Sequence, residues 1–152
     1  MSGKRILLVD DDADILAVLG DRLEAAGFTV ETAGDGVQAM EILRADPPDV
    51  AVLDLMMPRM GGMQVLEKIR QESIDTTPIV ITASGSVQRA VEAMKNGAYD
   101  FLIKPFDPQQ VTFVIGKALE RSVLRRRNQI LRTQLEESAP DLVGDSPSLA
   151  SI

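Results

Sequence analysis

Acidic side chains follow two short apolar runs in this 152-residue sequence. Asp10, Asp11 and Asp12 come directly after the first run, and Asp54 comes directly after a later one. Two carboxylates 4 Å apart repel by about 4 kcal/mol at an effective dielectric constant near 20. Raised carboxyl pKa values relieve such repulsion, but a hard divalent cation relieves it better. Two aspartates and a backbone carbonyl are ligands that suit Mg²⁺, so these residues predict a magnesium site.

A hydroxyl and an ammonium group follow two further apolar runs. Thr82 and Ser84 come after the run 79–81, and Lys104 comes after the run 101–103. An acidic metal site that faces these groups suits a phosphoryl group. The metal and the lysine neutralise its oxygens, the hydroxyl donates a hydrogen bond, and one carboxylate can act as the nucleophile. Each residue alone has an ordinary explanation as a cap, a turn or a solvated side chain, but their joint position favours phosphoryl chemistry.

The chain contains no cysteine and no histidine. Disulfide scaffolds, thiolate nucleophiles, histidine-based catalysis and most zinc sites are therefore excluded. The remaining chemistry must come from carboxylates, lysine, hydroxyl groups and a hard metal.

These polar residues stand at the ends of elements that alternate along the chain. Short apolar runs of three or four residues predict four strands, the segment 28–33 looks like another, and each is followed by a segment with helical periodicity. Five such units predict an α/β fold with a doubly wound parallel sheet. The predicted strands are 6–9, 28–33, 50–53, 79–81 and 101–103, and the predicted helices are 13–26, a segment opened by Asp35-Gly36, 62–72, 86–96 and 107–137. Ligands bind at the carboxyl ends of such strands, where the polar residues should meet.

Composition and charge limit the classes of protein. The chain is 45% hydrophobic and 26% charged, which is typical of a globular domain. Its formal net charge is −7, with most of the acidic excess before residue 121. An acidic surface argues against direct DNA binding by this part. No apolar run is long enough to span a membrane or form a signal-peptide core, so we expect a cytoplasmic location and no membrane partner.

The last predicted helix is longer than the sheet that it can cover. Beyond residue 120, Leu124, Leu131 and Leu135, with Asn128 between them, fit a coiled-coil seam of about two heptads. These residues predict a homodimer formed through the last helix. The alternative is an amphipathic helix that rests on its own protomer.

Four segments resemble the receiver domain of two-component response regulators: ILLVDDDADIL, VLDLMMPRMGGMQVL, IVITASG and GAYDFLIKPF. The resemblance covers about residues 4–120 in order and at family-like spacing. It implies a flavodoxin-like sheet of strand order 2-1-3-4-5 with an extended C-terminal helix. It also implies a receiver domain over residues 1–120 that accepts a phosphoryl group from a histidine kinase. Such a domain is a signalling module rather than an enzyme, apart from slow autodephosphorylation.

The resemblance assigns roles to individual residues. Asp54 matches the phosphorylated aspartate, and Asp10 and Asp11 match the acidic pair that holds Mg²⁺ together with Asp54 and the backbone carbonyl of Met56. Asp12 stands where many members have glutamate. The remaining matches are the switch hydroxyl, the small residue that gives access to the aspartate, the switch aromatic, the phosphoryl-binding lysine and the proline that follows a cis peptide: Thr82, Ala83, Phe101, Lys104 and Pro105.

The tail carries a second resemblance. Residues 142–149, LVGDSPSL, resemble the opening of the ATPase domain in nitrogen-regulator-type activators of sigma-54 RNA polymerase. This implies a linker helix over residues 121–138, and a linker with the start of an ATPase domain over 139–152. Phosphorylation would then change the face formed by the fourth helix, fifth strand and fifth helix, and so control the attached ATPase.

Two other functions stay open at this point. Asp10 and Asp12 form a D-x-D motif, which in haloacid-dehalogenase-type phosphatases supplies a nucleophile and a general acid. Such enzymes need an acidic pair after the fourth strand, where this chain has Thr82, Ala83 and Ser84. The other alternative is a receiver-like dimerisation module that is not phosphorylated. A dinucleotide-binding fold is weaker, because no G-x-G-x-x-G follows the first strand.

Overall fold

Strands and helices alternate without exception along the part of the chain that the structure describes. The structure is a computed structural model, and it describes residues 4–57, 59–83 and 87–138, with side chains as far as residue 124. The elements are β1 (Arg5–Val9), α1 (Ala13–Ala25), β2 (Thr29–Ala33), α2 (Gly36–Ala45), β3 (Val50–Asp54), α3 (Gly62–Gln71), β4 (Thr77–Thr82), α4 (Val87–Lys95), β5 (Asp100–Ile103) and α5 (Pro108–Ser138).

The five strands form one parallel sheet of order β2-β1-β3-β4-β5. This confirms the predicted fold class, strand order and extended last helix. Every residue of β3 and β4 is buried. Both strands therefore lie between two layers of helices, which explains why their sequences are continuous apolar runs rather than alternating ones.

Successive strand residues serve two separate cores. Ile6 and Leu8 of β1 face the layer formed by α1 and α5, where they join Leu23 and Ile115. Leu7 and Val9 face the opposite layer, which is formed by α2, α3 and α4. The buried residues of this layer include Leu43, Leu66 and Ala93. The two-residue period of a strand produces this division.

Side chains and glycines define the ends of the helices that border the sheet. Asp12 is the N-cap of α1 and accepts a hydrogen bond from the Asp14 N–H at 2.9 Å. Asp35 caps α2 in the same way, accepting from the Gln38 N–H at 2.9 Å. Gly27, predicted to end the first helix, has φ 100° and follows the C-cap residue Ala26. Such positive φ values favour glycine because it lacks a Cβ.

One boundary differs from the sequence prediction. Pro78 was placed before the fourth strand, but it is the second residue of β4. Its carbonyl accepts a hydrogen bond from the Tyr99 N–H at 2.7 Å, whereas regular pairing with β5 starts only at Ile79. The side of Pro78 that lacks an N–H thus faces a position where the neighbouring strand has not yet begun, and proline is tolerated there.

The last helix, α5, has 31 residues, a length of about 46 Å. Its first half packs on the sheet through Val111, Ile115 and Ala118. The predicted seam residues Asn128, Leu131 and Leu135 have side chains outside the described part of the chain, and the segment 139–152 lies outside it entirely. Among the described residues, no helix has the length and apolar character needed to cross a membrane.

Candidate functional site

Three carboxylates meet at the carboxyl-terminal rim of the sheet. Asp10 and Asp11 follow β1, and Asp54 is the last residue of β3, the neighbouring strand. Each offers a carboxylate oxygen, and these oxygens all lie within 4.8 Å of one another. Asp10 and Asp54 are buried, and Asp11 is exposed. The structure thus brings together the acidic residues that the sequence placed at one rim.

Asp54 is held through both of its oxygens. Its Oδ1 accepts a hydrogen bond from the Met56 N–H at 3.0 Å, and its Oδ2 accepts one from Lys104 Nζ at 3.1 Å. The residue is only 4% exposed. These two contacts fix the orientation of the carboxylate at the rim.

Asp10 carries a buried oxygen that accepts no hydrogen bond in the described structure. Its Oδ1 accepts from the Asp12 N–H at 3.0 Å, whereas its Oδ2 forms an ion pair with Lys104 Nζ at 3.3 Å but no hydrogen bond. Burial raises the pKa of Asp10, and Asp54 raises it further, whereas the Asp12 hydrogen bond and Lys104 oppose the shift. A buried carboxylate oxygen without a donor is costly unless a cation binds it. The oxygen donor set therefore fits Mg²⁺.

Lys104 connects the two buried carboxylates. It follows β5, and its Nζ lies 3.3 Å from Asp10 Oδ2 and 3.1 Å from Asp54 Oδ2. Burial alone would lower the pKa of Lys104, but the hydrogen bond to Asp54 and the attraction of both carboxylates raise it above its ordinary value. Lys104 is therefore a permanent cation at this rim, and it neutralises one of the three negative charges. The peptide bond between Lys104 and Pro105 is cis.

The side chains of the predicted switch residues form no hydrogen bond with the side chains of Asp10, Asp54 or Lys104 in the described part of the chain. Thr82 ends β4 and is buried, and its hydroxyl donates to the Ala83 carbonyl at 3.3 Å. Ala83 is exposed, and Ser84 lies outside the described residues. Phe101 lies on β5 with 36% of its surface exposed. Movement of Thr82 toward Asp54 would therefore require its side chain to leave the main-chain carbonyl.

Sequence reasoning missed the glycines that position the site. Gly62, the first residue of α3, lies so close to the main chain of Asp54 that a Cβ would overlap it. Gly36 lies equally close to Met60, and its N–H donates to the Met60 carbonyl at 3.0 Å. The sequence marked these glycines only as residues at the starts of two predicted helices. Their close approaches depend on elements that are distant along the chain.

A second missed feature anchors the loop after β3. Arg59 has φ 67°, and its Nη1 lies 3.3 Å from Asp35 Oδ2 at the start of α2. Together with the Gly36–Met60 hydrogen bond, this ion pair ties the loop that supplies Met56 to a neighbouring helix.

The predicted dimer residue that the structure describes lies far along α5. Leu124 is 58% exposed. It borders an apolar groove with Phe28, Leu119 and Val123. No partner chain is present, so the dimer stays a prediction.

The sheet order and the acidic rim define a doubly wound α/β domain with three clustered carboxylates, and comparison with known proteins gives its family. The family profile described as "Response regulator receiver domain" matches residues 6–115. The chain belongs to the response regulator receiver domain family. Receiver domains are signalling domains of two-component systems, which interact with histidine kinases and effector domains and bind Mg²⁺ at an acidic pocket.

Individual relatives agree with this assignment. "Response regulator MprA" from Mycobacterium ulcerans is 41% identical over 133 residues, which is 88% of this chain and 53% of the relative. The signal receiver domain of a putative Luxo repressor protein from Vibrio parahaemolyticus has a TM-score of 0.77 and 31% identity, covering 81% of this chain and 95% of that one. NtrX from Brucella abortus, in complex with ADP, has a TM-score of 0.79 and 32% identity, and the match covers 87% of this chain and 29% of that one. The chain spans about half the length of the curated relatives it matches.

Proposed function

We propose that this domain accepts a phosphoryl group from a histidine kinase on Asp54 in a Mg²⁺-dependent reaction. The observation that carries the proposal is the placement of Asp54. Its carboxylate is oriented by the Met56 N–H and Lys104, and it lies in one oxygen cluster with Asp10 and Asp11.

Asp10, Asp11, Asp54 and the backbone carbonyl of Met56 would hold the ion. When bound, Mg²⁺ supplies positive charge that neutralises carboxylate and phosphoryl oxygens. The other contributions to the site come from groups of the protein itself. Lys104 compensates negative charge on Asp10 and Asp54, and the Met56 N–H keeps the Asp54 carboxylate in one orientation.

The transfer itself is a substitution at phosphorus. A carboxylate oxygen of Asp54 forms a bond to the phosphorus atom, while the bond from phosphorus to the nitrogen of the donor imidazole breaks. The leaving nitrogen keeps the electron pair. Lys104 would stabilise the oxygens of the transferred group, and the small side chain of Ala83 would leave access to Asp54.

Phosphorylation would then change the surface of the domain. The phosphoryl group adds about −1.5 to −2 charges. Thr82 would leave the Ala83 carbonyl and donate to a phosphoryl oxygen, which frees space for the Phe101 ring. Exposed apolar residues on the face formed by α4, β5 and α5, among them Val91 and Phe113, would be presented differently. A shift from 1:99 to 99:1 needs about 5.5 kcal/mol of preference for the active conformation.

The second part of the proposal concerns the attached domain that this switch would control. We assign the domain to a sigma-54 activator, on the resemblance of residues 142–149 and on the long helix α5, which would carry the change through a homodimer to an attached ATPase. The similarity to NtrX supports this assignment, whereas the curated relatives named MprA and ycf27 are transcriptional regulators of OmpR type. ATP binding by the full-length protein tests it.

Intact-mass spectrometry after incubation with Mg²⁺ and acetyl phosphate tests the central proposal. The wild type should gain one phosphoryl group, and Asp54→Asn should gain none while keeping its far-ultraviolet circular dichroism spectrum. No gain in the wild type would favour an unphosphorylated dimerisation module. A gain in both proteins would direct attention to Asp10 and the phosphatase alternative.

A further inference from the structure

Arg89 reaches from α4 across the rim to the loop that follows the phospho-acceptor. Its Nη1 contacts the sulfur of Met56, 33 positions away in sequence. Met56 is 54% exposed, and its N–H is the donor that holds Asp54 Oδ1 at 3.0 Å. The guanidinium group therefore lies beside the exposed side chain of the residue whose main-chain N–H holds Asp54.

Arg89 also differs from the other cations of this rim in its partners. Lys104 faces Asp10 and Asp54, and Arg59 is paired with Asp35. Within the part of the chain that the structure describes, Arg89 forms no ion pair. A thioether sulfur is only a weak acceptor, so most of the five N–H donors of this guanidinium remain available.

The net charge of the site explains why a further cation would help to bind a negatively charged donor. Asp10, Asp11 and Asp54 contribute three negative charges, Lys104 contributes one positive charge, and a divalent ion would bring the total to zero. A donor that arrives with a dianionic phosphoryl group then meets no net positive charge at the site. The planar guanidinium fork suits binding of two phosphoryl oxygens, and it does so better than a lysine ammonium.

We propose that Arg89 binds the phosphoryl group of the incoming donor at the mouth of the site. The donors concerned are compounds with a freely accessible dianionic phosphoryl group, namely phosphoramidates and acyl phosphates. This inference rests on the proposed function, because it assumes transfer to Asp54. It concerns capture of the donor rather than the bond change, so the main effect should be on KM.

The experiment compares Arg89→Gln and Arg89→Lys with the wild type at saturating Mg²⁺. Phosphorylation by phosphoramidate is followed by intact mass over a range of donor concentrations. Arg70→Gln is the matched control, because Arg70 is an exposed arginine on α3 and lines a groove near Pro78 at the opposite, amino-terminal end of β4. Circular dichroism checks that each variant is folded.

Loss of one charge contact in a high-dielectric setting corresponds to about a fivefold change. We expect Arg89→Gln to raise the apparent KM about fivefold with the maximal rate within about twofold of wild type. Arg89→Lys should recover much of the loss, and Arg70→Gln should behave like wild type. The difference between wild type and Arg89→Gln should shrink at high ionic strength, because salt screens exposed charges.

The unfavourable results are equally distinct. An unchanged KM in Arg89→Gln would overturn the inference, as would an equal increase in Arg70→Gln, which would indicate a general charge effect. A lower maximal rate with an unchanged KM would also contradict donor binding. Absence of phosphorylation in the wild type, or phosphorylation of Asp54→Asn, would instead overturn the proposed function and leave a different signature.

Discussion

Gly62 lies directly against the main chain of Asp54. A Cβ at Gly62 would overlap the carbonyl of Asp54 and would also come within 3.0 Å of the Leu55 Cα. The start of α3 is therefore packed on the peptide that follows the candidate phospho-acceptor. Any shift of this helix is transmitted to the strand end that positions the carboxylate.

Gly62→Ala should destabilise the domain and displace Asp54. The methyl group meets backbone atoms, which cannot move aside as a flexible side chain can, so we expect a loss of about 1–3 kcal/mol in the free energy of unfolding. Urea denaturation measures this loss. Gly116→Ala is the control, since Gly116 in α5 has open space around its Cα. It should be neutral or stabilise the helix by up to about 1 kcal/mol, and equal stability of the two variants would contradict the packing argument.

Asp10→Asn should stabilise the domain in the absence of Mg²⁺. Asp10 Oδ2 is buried without a hydrogen bond, and burial raises the pKa of this carboxyl. Removing the charge should increase the free energy of unfolding by about 1–2 kcal/mol near pH 7 in EDTA. Added Mg²⁺ should stabilise the wild type and leave the variant unaffected. Thermal unfolding with and without Mg²⁺ tests both statements, and a less stable metal-free variant would contradict them.

The same carboxyl predicts a pH dependence with a definite sign. The pKa of Asp10 in the folded protein lies above its ordinary value of 3.8. Ionisation of Asp10 therefore disfavours the folded state. The free energy of unfolding decreases through this carboxyl as pH rises from its ordinary pKa to its raised pKa. The stability difference between Asp10→Asn and wild type in EDTA should thus be smaller at low pH, grow through this window and then stay constant. Chemical denaturation at several pH values measures it, and a difference that shrinks with rising pH would refute the assignment.

Lys104→Met should strengthen Mg²⁺ binding while weakening the metal-free fold. The ammonium is the cation that the structure shows between Asp10 and Asp54. Its removal leaves the carboxylates uncompensated, at a cost of about 1–2 kcal/mol for this partly exposed group. Because the site becomes more negative, the Kd for Mg²⁺ should fall several-fold. Isothermal titration calorimetry measures it, with the exposed Lys95→Met on α4 as control, and weaker binding in Lys104→Met would speak against the arrangement.

Leu124→Glu should weaken the proposed homodimer. Leu124 is exposed in the single chain, and burial in a dimer interface would explain why an apolar residue occupies this position. Each dimer loses two apolar contacts, which corresponds to about a 100-fold higher Kd. Sedimentation velocity measures the change, and Leu131→Glu should act in the same direction. Gln109→Glu adds the same charge near the start of α5 and should leave the profile unchanged, whereas equal profiles for Leu124→Glu and wild type would rule out the seam.

Most of the fold could be predicted because its determinants are local. The strands β3 and β4 are short continuous apolar runs that the sequence itself displays, and Gly27 marks a helix end through its own backbone conformation. The strand order came from the family resemblance. Pro78 was misplaced because its tolerance in β4 depends on where β5 begins, which is a property of the neighbouring strand.

The candidate site, like the fold, could be predicted from the sequence only in part. The residue types and their positions after the strands were enough to place Asp10, Asp11, Asp54 and Lys104 at one rim, since the carboxyl ends of parallel strands meet. Distances between them required the structure, because a change of about 1 Å separates a hydrogen bond from no bond.

The sequence by itself therefore determined the class of fold, the group of acidic residues and the chemistry that they suit. Only the tertiary structure decided that Asp10 Oδ2 is buried without a hydrogen bond, that Gly62 packs on Asp54 and that Arg89 reaches Met56. The physical reason is that these relationships join residues from different elements. Their distances follow from how the helices pack on the sheet, and no local pattern of residues records that packing.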